Sequence, residues 1–361
     1  MKEKIFDGYL NITRNNKAIL WTIPFDNRYR SFNFPQHLVK KYKLVSGVRL
    51  KCKISNNKIR KIINICGKDF QDFVSRSHFK TLVPINPQEK YDFGASNSLS
   101  LRFLDLLSPI GKGTRGLIVS PPRAGKTMLL ESIANELEQL DPDLNVIVLL
   151  IDERPEEVTS FIRNTNADVL HSSLDQSATS HVALSSFLLN HIRIELECGN
   201  DIVVLIDSLT RMGRAFNISG GNNNRTMSGG LSSGALELPR KIFGMARNID
   251  EGGSCTILST ILRDTGSRMD EVIFQEFKGT GNSEIILDRQ LAEQRLFPAI
   301  NITETATRKE EIFRIPEETE KINQLRRELL QTDKITAHQK FSALINNSNS
   351  NKEMLEVIKS N

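Results

Sequence analysis

The octapeptide Ser120-Pro121-Pro122-Arg123-Ala124-Gly125-Lys126-Thr127 stands between an apolar run, Gly116 to Val119, and a helix-like stretch, Met128 to Leu137. An apolar strand, a short loop and a helix in that order make a phosphate cradle. Backbone N–H groups and the helix N-terminus surround the oxygens, the lysine adds a mobile positive charge, and the threonine hydroxyl is placed to hold magnesium. Outward from the loop the same rhythm recurs, with further apolar runs at Asn145 to Ile151, Asp201 to Ile206 and Cys255 to Leu258 separated by helix-length amphipathic segments. Such alternation predicts an α/β fold with a mainly parallel sheet covered by helices.

The octapeptide resembles a Walker A loop, G-x-x-x-x-G-K-[ST], with Ser120 in place of the first glycine. Open α/β sheets bind ligands beyond the C-terminal ends of their strands, and two apolar runs deliver carboxylates there. Asp207 follows Ile202-Val203-Val204-Leu205-Ile206 and resembles a Walker B aspartate; taken alone it reads equally well as the acidic cap of a helix. Asp152-Glu153-Arg154 ends the run from Asn145, which sets Glu153 near the terminal phosphate, able to orient or deprotonate an attacking water. The plainer reading of that triplet is a solvated charge cluster.

At 361 residues the chain exceeds what one hydrophobic core usually organises, so a large domain with a smaller companion is expected. Hydrophobic residues at 39% and charged residues at 25% exclude a fibrous or wholly disordered chain. No uncharged apolar run approaches the ~20 residues of a membrane span. The opening Met1-Lys2-Glu3-Lys4-Ile5 lacks a signal-peptide stretch, so a cytoplasmic protein with no membrane partner is expected. Cys52, Cys66, Cys198 and Cys255 are scattered and read as reduced core thiols; the histidines are equally dispersed, and no metal site follows from either. The net charge of +5 is mild, and its uneven distribution matters more than its sum.

Residues 1 to 68 are rich in lysine, arginine and aromatics, and Val48 to Cys66 alternates apolar with basic residues around Asn56-Asn57, a hairpin signature. With Tyr9 to Ile12 and Lys17 to Ile23 this makes several short strands, the scale of a small OB-like barrel. The stretch from Gly67 to Leu99 has little periodicity and reads as a connector. Two glycine-rich interruptions, Ser219 to Gly234 and Thr265 to Ser267, are too polar for core and read as exposed loops. The Asn/Ser-rich break at Asn346 to Asn351 precedes a short helix-like segment to which no chemistry is assigned.

Leu149-Leu150-Ile151-Asp152-Glu153-Arg154-Pro155-Glu156-Glu157-Val158 resembles a signature of the Rho family of transcription termination factors. Asp207-Ser208-Leu209-Thr210-Arg211, Asp264 to Val272, Glu276 to Asn282 and Thr307-Arg308-Lys309-Glu310-Glu311 resemble that family in the same order, so the likeness runs from about Leu104 to Phe313. It implies a RecA-like P-loop ATPase domain at 104–361, an OB/cold-shock-like RNA-binding domain at 1–68 and a connector at 69–103. It also implies a homohexameric ring with ATP between subunits. The implied activity is that of an ATP-dependent RNA translocase and RNA–DNA helicase that binds the nascent transcript and releases it from the RNA polymerase elongation complex.

Roles follow from the same resemblance. Pro122, Arg123, Ala124, Gly125, Lys126, Thr127 and Met128 would surround the phosphates of ATP, Thr127 and Asp207 would hold Mg2+, and Glu153 would be the catalytic carboxylate. Arg308, supplied by a neighbouring subunit, would be the arginine finger, with Arg154 and Arg295 as further phosphate-sensing arginines. Phe297 would stack the adenine, although a phenylalanine before Pro298 more often packs in a core. Arg225, Thr226, Met227, Ser228, Gly229 and Gly230 would form one central RNA-binding loop, and Thr265, Gly266, Ser267 and Arg268 the other, gripping phosphate and 2′-hydroxyl groups without reading bases. Their plainer reading is flexible surface loops.

One departure concerns the barrel, where a strand carrying two stacking aromatics in many relatives reads Lys17-Ala18-Ile19-Leu20 here. Trp21, Phe25, Tyr29, Phe32 and Phe34 are nearby, and core positions are expected for most of them. That leaves the basic surface of Lys40, Lys41, Lys43, Lys51, Lys53, Lys58, Arg60 and Lys61 to hold RNA loosely. Because the chain begins almost at the barrel, the leading helical segment of many relatives is expected to be missing. Other ring ATPases, such as a rotary ATP synthase subunit or a hexameric DNA helicase, share the phosphate chemistry but not the remaining motifs. A relative that has lost turnover is disfavoured by the intact Lys126, Thr127, Glu153, Asp207 and Arg308.

Overall fold

Side chains alternate across a strand, so each sheet sorts its sequence into two faces. The computed structural model describes residues 4–13, 15–22, 31–219, 228–232 and 234–358. Its first sheet contains β1 (Lys4–Ile12), β2 (Ala18–Thr22) and β3 (Ser31–Asn33), then, after helix α1 (Gln36–Lys41), β4 (Arg49–Ser55) and β5 (Lys58–Ile65). All pairings are antiparallel, in the order β3-β2-β1-β4-β5. The hairpin at Asn56-Asn57 is present: both asparagines adopt left-handed angles, φ 52° and 57°, which short polar side chains tolerate in a two-residue turn. Leu10, Leu20, Leu50 and Ile65 point inward, and Phe32 and Phe34 join that core as expected. Trp21 does not; it is half-buried against Phe187, with ring centroids 5.6 Å apart. Phe25 and Tyr29 lie outside the described residues.

The segment expected as an aperiodic connector is more ordered than its polarity suggested. It carries α2 (Phe70–Ser75), a 3-10 turn at Phe79–Thr81, β6 (Pro84–Ile85) and the start of α3 (Leu99–Leu107). Elements this short show no readable period, and β6 is two residues that gain their order from a partner strand distant in sequence.

The second sheet follows. Its strands and helices alternate as β7 (Arg115–Ser120), α4 (Lys126–Leu140), β8 (Asn145–Glu153), α5 (Pro155–Asn164), β9 (Asp168–Ser173), α6 (Ala178–Glu197), β10 (Ile202–Asp207) and α7 (Leu209–Ser219). Then come α8 (Glu237–Phe243), β11 (Arg247–Ile249), β12 (Ser254–Leu262), α9 (Arg268–Phe277), β13 (Ser283–Ile286), α10 (Arg289–Glu293) and β14 (Ala306–Thr307). The order is β14-β13-β7-β12-β10-β8-β9, parallel from β13 to β9, with β14 antiparallel at one edge and β11 linking β12 to β6. Ile118, Val148, Leu150, Val203 and Leu205 face one layer of helices, while Leu117, Ile147, Leu149, Val204 and Ile206 face the other. That two-sided burial is why these strands read as continuous apolar runs.

The chain ends in α11 (Pro316–Leu330), α12 (Lys334–Asn346) and α13 (Asn351–Val357). The Asn/Ser-rich break between the last two has a structural task. Buried Arg102 donates to the Asn351 side-chain oxygen at 3.1 Å, to the carbonyls of Ile345 and Ser348 at 2.9 and 2.7 Å, and to the Ser348 hydroxyl at 2.7 Å. Those bonds satisfy a buried guanidinium and pin the last helix to α3. The two sheets meet across α6, whose Ile194, with Cys198 at the helix C-cap, completes the N-terminal core. There Tyr9 donates to Asp168 at 2.7 Å, and Arg49 pairs with Asp7 at 3.2 Å and Asp168 at 3.3 Å. All four cysteines are free and buried. Among the described residues no helix is long and apolar enough to cross a membrane, and no cluster of three or more histidine, cysteine or acidic side chains could hold a metal.

Candidate nucleotide site

The loop after β7 is built by backbone geometry. Ser120 remains the last residue of the strand, paired in register with Leu262, so the glycine usual at that position is not required. Arg123 and Gly125 then take positive φ of 66° and 88°, curling the chain around a concavity lined by N–H groups. Gly125 opens the 15-residue helix α4 without a side-chain cap, so the first N–H groups of that helix stay free to meet an anion. A Cβ at Gly125 would stand 3.4 Å from the Phe297 ring, which therefore lies directly against the loop. Phe297 is 39% exposed, which removes the core-packing alternative for it. Pro122, Arg123 and Met128 are exposed, Ala124 is buried, and Thr127 is half-buried with no side-chain hydrogen bond among the described residues.

Parallel register brings the two predicted carboxylates to the same end. Asp207 is opposite Leu150 on β8, and Glu153 lies three residues further along that strand, on the side of the β7 loop. Both are 1% exposed. Lys126 reaches between them, its Nζ 3.1 Å from Glu153 Oε1 and in direct contact with Asp207. Burial alone would lower the pKa of this ammonium, but Asp207 and Glu153 outweigh burial and the net shift is upward. For Glu153, burial first and then the neighbouring Asp207 charge raise the carboxyl pKa, opposed by Lys126 and Arg211.

Arg211 and Thr260 also join this constellation, although the sequence by itself assigns neither a role. Arg211 Nε stands 3.1 Å from Glu153 Oε1, and its guanidinium also donates to the Asp152 carbonyl. The signal was its place one turn into the helix after Asp207. Thr260, on the neighbouring β12, donates to Asp207 Oδ1 at 2.8 Å. Nothing in its local sequence distinguishes it from any other strand threonine.

Arg154 and Arg295 are exposed, Arg154 beside Glu153 as the cap of α5 and Arg295 two residues before Phe297. Arg308 is not at this end of its own chain. It follows β14, whose Thr307 pairs with Ser283, and Ser283 is opposite Gly116 near the start of β7. The phosphate loop leaves the opposite end of β7.

The described parts of the two glycine-rich loops converge. Gly229 is packed on the backbone of Arg268, where an added Cβ would stand 3.0 Å from the Arg268 carbonyl oxygen. Asn217 donates to the Gly230 carbonyl at 3.1 Å. On the other loop Thr265 donates to Asp270 at 2.6 Å, Asp270 also pairs with Arg214, and Ser267 caps α9, leaving Gly266 and Arg268 exposed. Arg225, Thr226 and Met227, and the side chain of Ser228, lie outside the described residues.

A cradle for phosphate at one end of a parallel sheet, with a lysine reaching two carboxylates from neighbouring strands, places the chain among RecA-like P-loop ATPases. Residues 100–307 match the ATP synthase alpha/beta family, nucleotide-binding domain. The assembled ATPase EscN of the enteropathogenic E. coli type III secretion system superposes with a TM-score of 0.63 over 99% of this chain and 97% of that one. At 16% identity that likeness is one of fold. Over 303 residues the chain is 42% identical to transcription termination factor Rho of Karelsulcia muelleri, covering 84% of this chain and 80% of the relative. The Rho of Micrococcus luteus is 45% identical over 303 residues, covering 84% of this chain but 44% of the relative's longer sequence. The chain belongs to the transcription termination factor Rho family.

Proposed function

We propose that this protein is an ATP-driven RNA translocase that works in the cytoplasm as a ring of identical subunits and releases nascent transcripts from RNA polymerase. The observation that carries the reading is the meeting of Lys126, Glu153 and Asp207 at the mouth of the β7 loop, within a chain of this family. Residues Pro122 to Met128 bind the phosphates of ATP, and Phe297 covers the adenine beside them. Glu153, held by Arg211, takes or orients the attacking water, and its raised pKa suits it to accept a proton.

The donor set fits magnesium. Thr127 has an uncommitted hydroxyl and Asp207 a carboxylate fixed by Thr260, both hard oxygen ligands of the kind that leave room for phosphate and water. When bound, magnesium neutralises charge on the phosphate oxygens. Replacing Glu153 by Gln is expected to preserve nucleotide binding but to lower hydrolysis by roughly 10²-fold or more, the range of a lost general base. Equal loss of fluorescent-nucleotide binding would show that Glu153 is a structural ion-pair partner of Lys126 instead.

The N-terminal sheet is read as an OB/cold-shock-like barrel that loads RNA. Support comes from β1 pairing with both β2 and β4 and from the approach of β3 to β5. Ala18 and Leu20 point into its core while Lys17 is exposed, so the segment 17–20 offers no outward aromatic ring. Each stacked base contributes roughly 1 to 3 kcal/mol where aromatics are present. Without them, exposed Lys51, Lys58, Arg60 and Lys61 provide non-specific phosphate contacts. Changing these four to glutamine is expected to weaken cytosine-rich and adenine-rich oligonucleotides alike and to flatten the salt dependence of binding. A loss confined to cytosine-rich RNA would show a base-reading site.

Exposed Gly266 and Arg268, with the loop at Gly229 and Gly230, are assigned to a strand threaded through the ring. ATP hydrolysis measured without nucleic acid, with single-stranded DNA and with RNA tests the whole reading. Strict RNA dependence is expected; stimulation by DNA selects a DNA helicase, and no hydrolysis under any condition selects a relative without turnover.

A further inference from the structure

A cleft of about 840 Å³ lies between the N-terminal sheet and the ends of β8, β9 and β10 that face away from the phosphate loop. Seven acidic side chains line it against three basic ones, in a chain whose net charge is +5. The chain does not repair that imbalance. Arg49 is engaged with Asp7 and Asp168, and Lys112 answers Asp201 at 3.2 Å. Among the described residues Lys51 and Lys68, on the barrel side, form no ion pair, and neither do Glu138, Asp141 and Asp143. Burial first, with the charge of Asp168 adding to it, pushes the Glu138 carboxyl up.

Glu195, on α6, lines the same cleft and is 2% exposed. Its Oε2 accepts from the Asn200 side-chain amide at 2.6 Å, while its Oε1 is buried without a hydrogen bond. His191 Nδ1 stands 3.7 Å from that oxygen, but the imidazole is committed elsewhere. Nδ1 lies 2.7 Å from the Gly47 carbonyl, to which it donates. Asn145 accepts from Arg49 on Oδ1 at 3.2 Å, which turns its amide N–H toward His191 Nε2 at 3.4 Å. That pattern sets the ring proton on Nδ1 and makes Nε2 an acceptor, so the ring is neutral and brings no charge to Glu195. A carboxylate out of water with one oxygen unanswered is unfavourable in the chain by itself.

A cation from outside would resolve it, and a protonated amine makes short, strong hydrogen bonds to carboxylate. The spacing of the charges sets the kind of cation. Among the described residues no three acidic groups come together as metal ligands. Instead the carboxylates are graded from buried Glu195 through half-buried Glu138 to exposed Asp141 and Asp143, an arrangement that suits separated ammonium groups. We infer that this cleft binds a linear aliphatic polyamine, with one ammonium on Glu195 Oε1 and the others along Glu138, Asp141 and Asp143. The inference is independent of the proposed motor activity. The bound amine bridges the N-terminal sheet and the ATPase sheet.

Equilibrium dialysis of the nucleic-acid-free full chain against radiolabelled spermidine tests it. Saturable binding of one equivalent per chain is expected, with butylamine weaker by roughly tenfold or more, because a single ammonium cannot engage both Glu195 and the rim. Glu195→Gln should weaken spermidine by roughly tenfold or more, the loss of one charge-assisted hydrogen bond. Asp141→Asn combined with Asp143→Asn should weaken it roughly two- to five-fold, the effect of exposed ion pairs. Spermidine should also raise the melting temperature of the wild type, and that of Glu195→Gln far less. Binding that does not saturate, or an affinity unchanged in Glu195→Gln, overturns the site. Should Glu195→Gln fail to fold, the rim variant and butylamine decide: wild-type affinity in that variant, or butylamine as tight as spermidine, overturns the inference. A lysine-containing peptide that binds more tightly than spermidine overturns the choice of a free polyamine.

Discussion

Alanine at Lys126 is expected to abolish turnover, lowering kcat by roughly 10³-fold or more, the upper range for removing one charged transition-state donor. The protein should remain folded, because its cores form on both faces of the large sheet and do not include this side chain. It should nevertheless be less stable. Lys126 neutralises Glu153 and Asp207, each 1% exposed, and without it Glu153 keeps the Arg211 guanidinium while Asp207 keeps the neutral Thr260 hydroxyl. Leaving a buried charge unpaired costs about 3 to 5 kcal/mol when nothing relaxes. Here the raised pKa of Glu153 allows protonation to relieve part of that cost. Circular dichroism and thermal melting check the fold, and a steady-state ATPase assay checks the rate. Normal hydrolysis by the folded variant would remove Lys126 from the phosphate site.

Rings that mix wild-type and Arg308→Ala subunits should lose activity faster than the dose of mutant. Register explains why. Thr307 pairs with Ser283 and Ser283 with Gly116, so Arg308 is held at the end of the sheet from which β7 begins, while the phosphate loop is at the other. Its charge can serve only a nucleotide bound elsewhere. A finger supplied in trans typically contributes ~10³ to 10⁵ in rate. Rings made wholly of the variant should approach that loss, and each mutant subunit should disable its neighbour's site. Activity that falls only in proportion to dose, measured across mixing ratios, would place the finger in cis.

How much of this was legible in sequence depended on the range of the physics involved. β7, β8, β10 and β12 were visible because both of their faces are buried, which leaves a continuous apolar run. β9, Asp168–Ser173, was not, since it mixes two serines, a histidine and a buried aspartate whose partners Tyr9 and Arg49 come from the other sheet. The Asn56-Asn57 turn was readable because few residues other than asparagine and glycine accept two successive positive φ angles. Phe297 was ambiguous: a ring before proline packs in a core or covers a ligand with the same local sequence, and only the fold brings it against Gly125. Arg211 sat in plain view beside Asp207, yet its grip on Glu153 depends on β8 and β10 being neighbours.

On the proposed function, ATP hydrolysis at this site drives a transcript off the polymerase. Elongation complexes stalled on a template with a long unstructured transcript, washed and then incubated with the protein, measure it directly. Labelled RNA should be released into the supernatant with ATP, and retained with a non-hydrolysable analogue or with the Lys126→Ala variant. Equal release without hydrolysis, or RNA-stimulated hydrolysis with every transcript still bound, would show that hydrolysis here does not drive release.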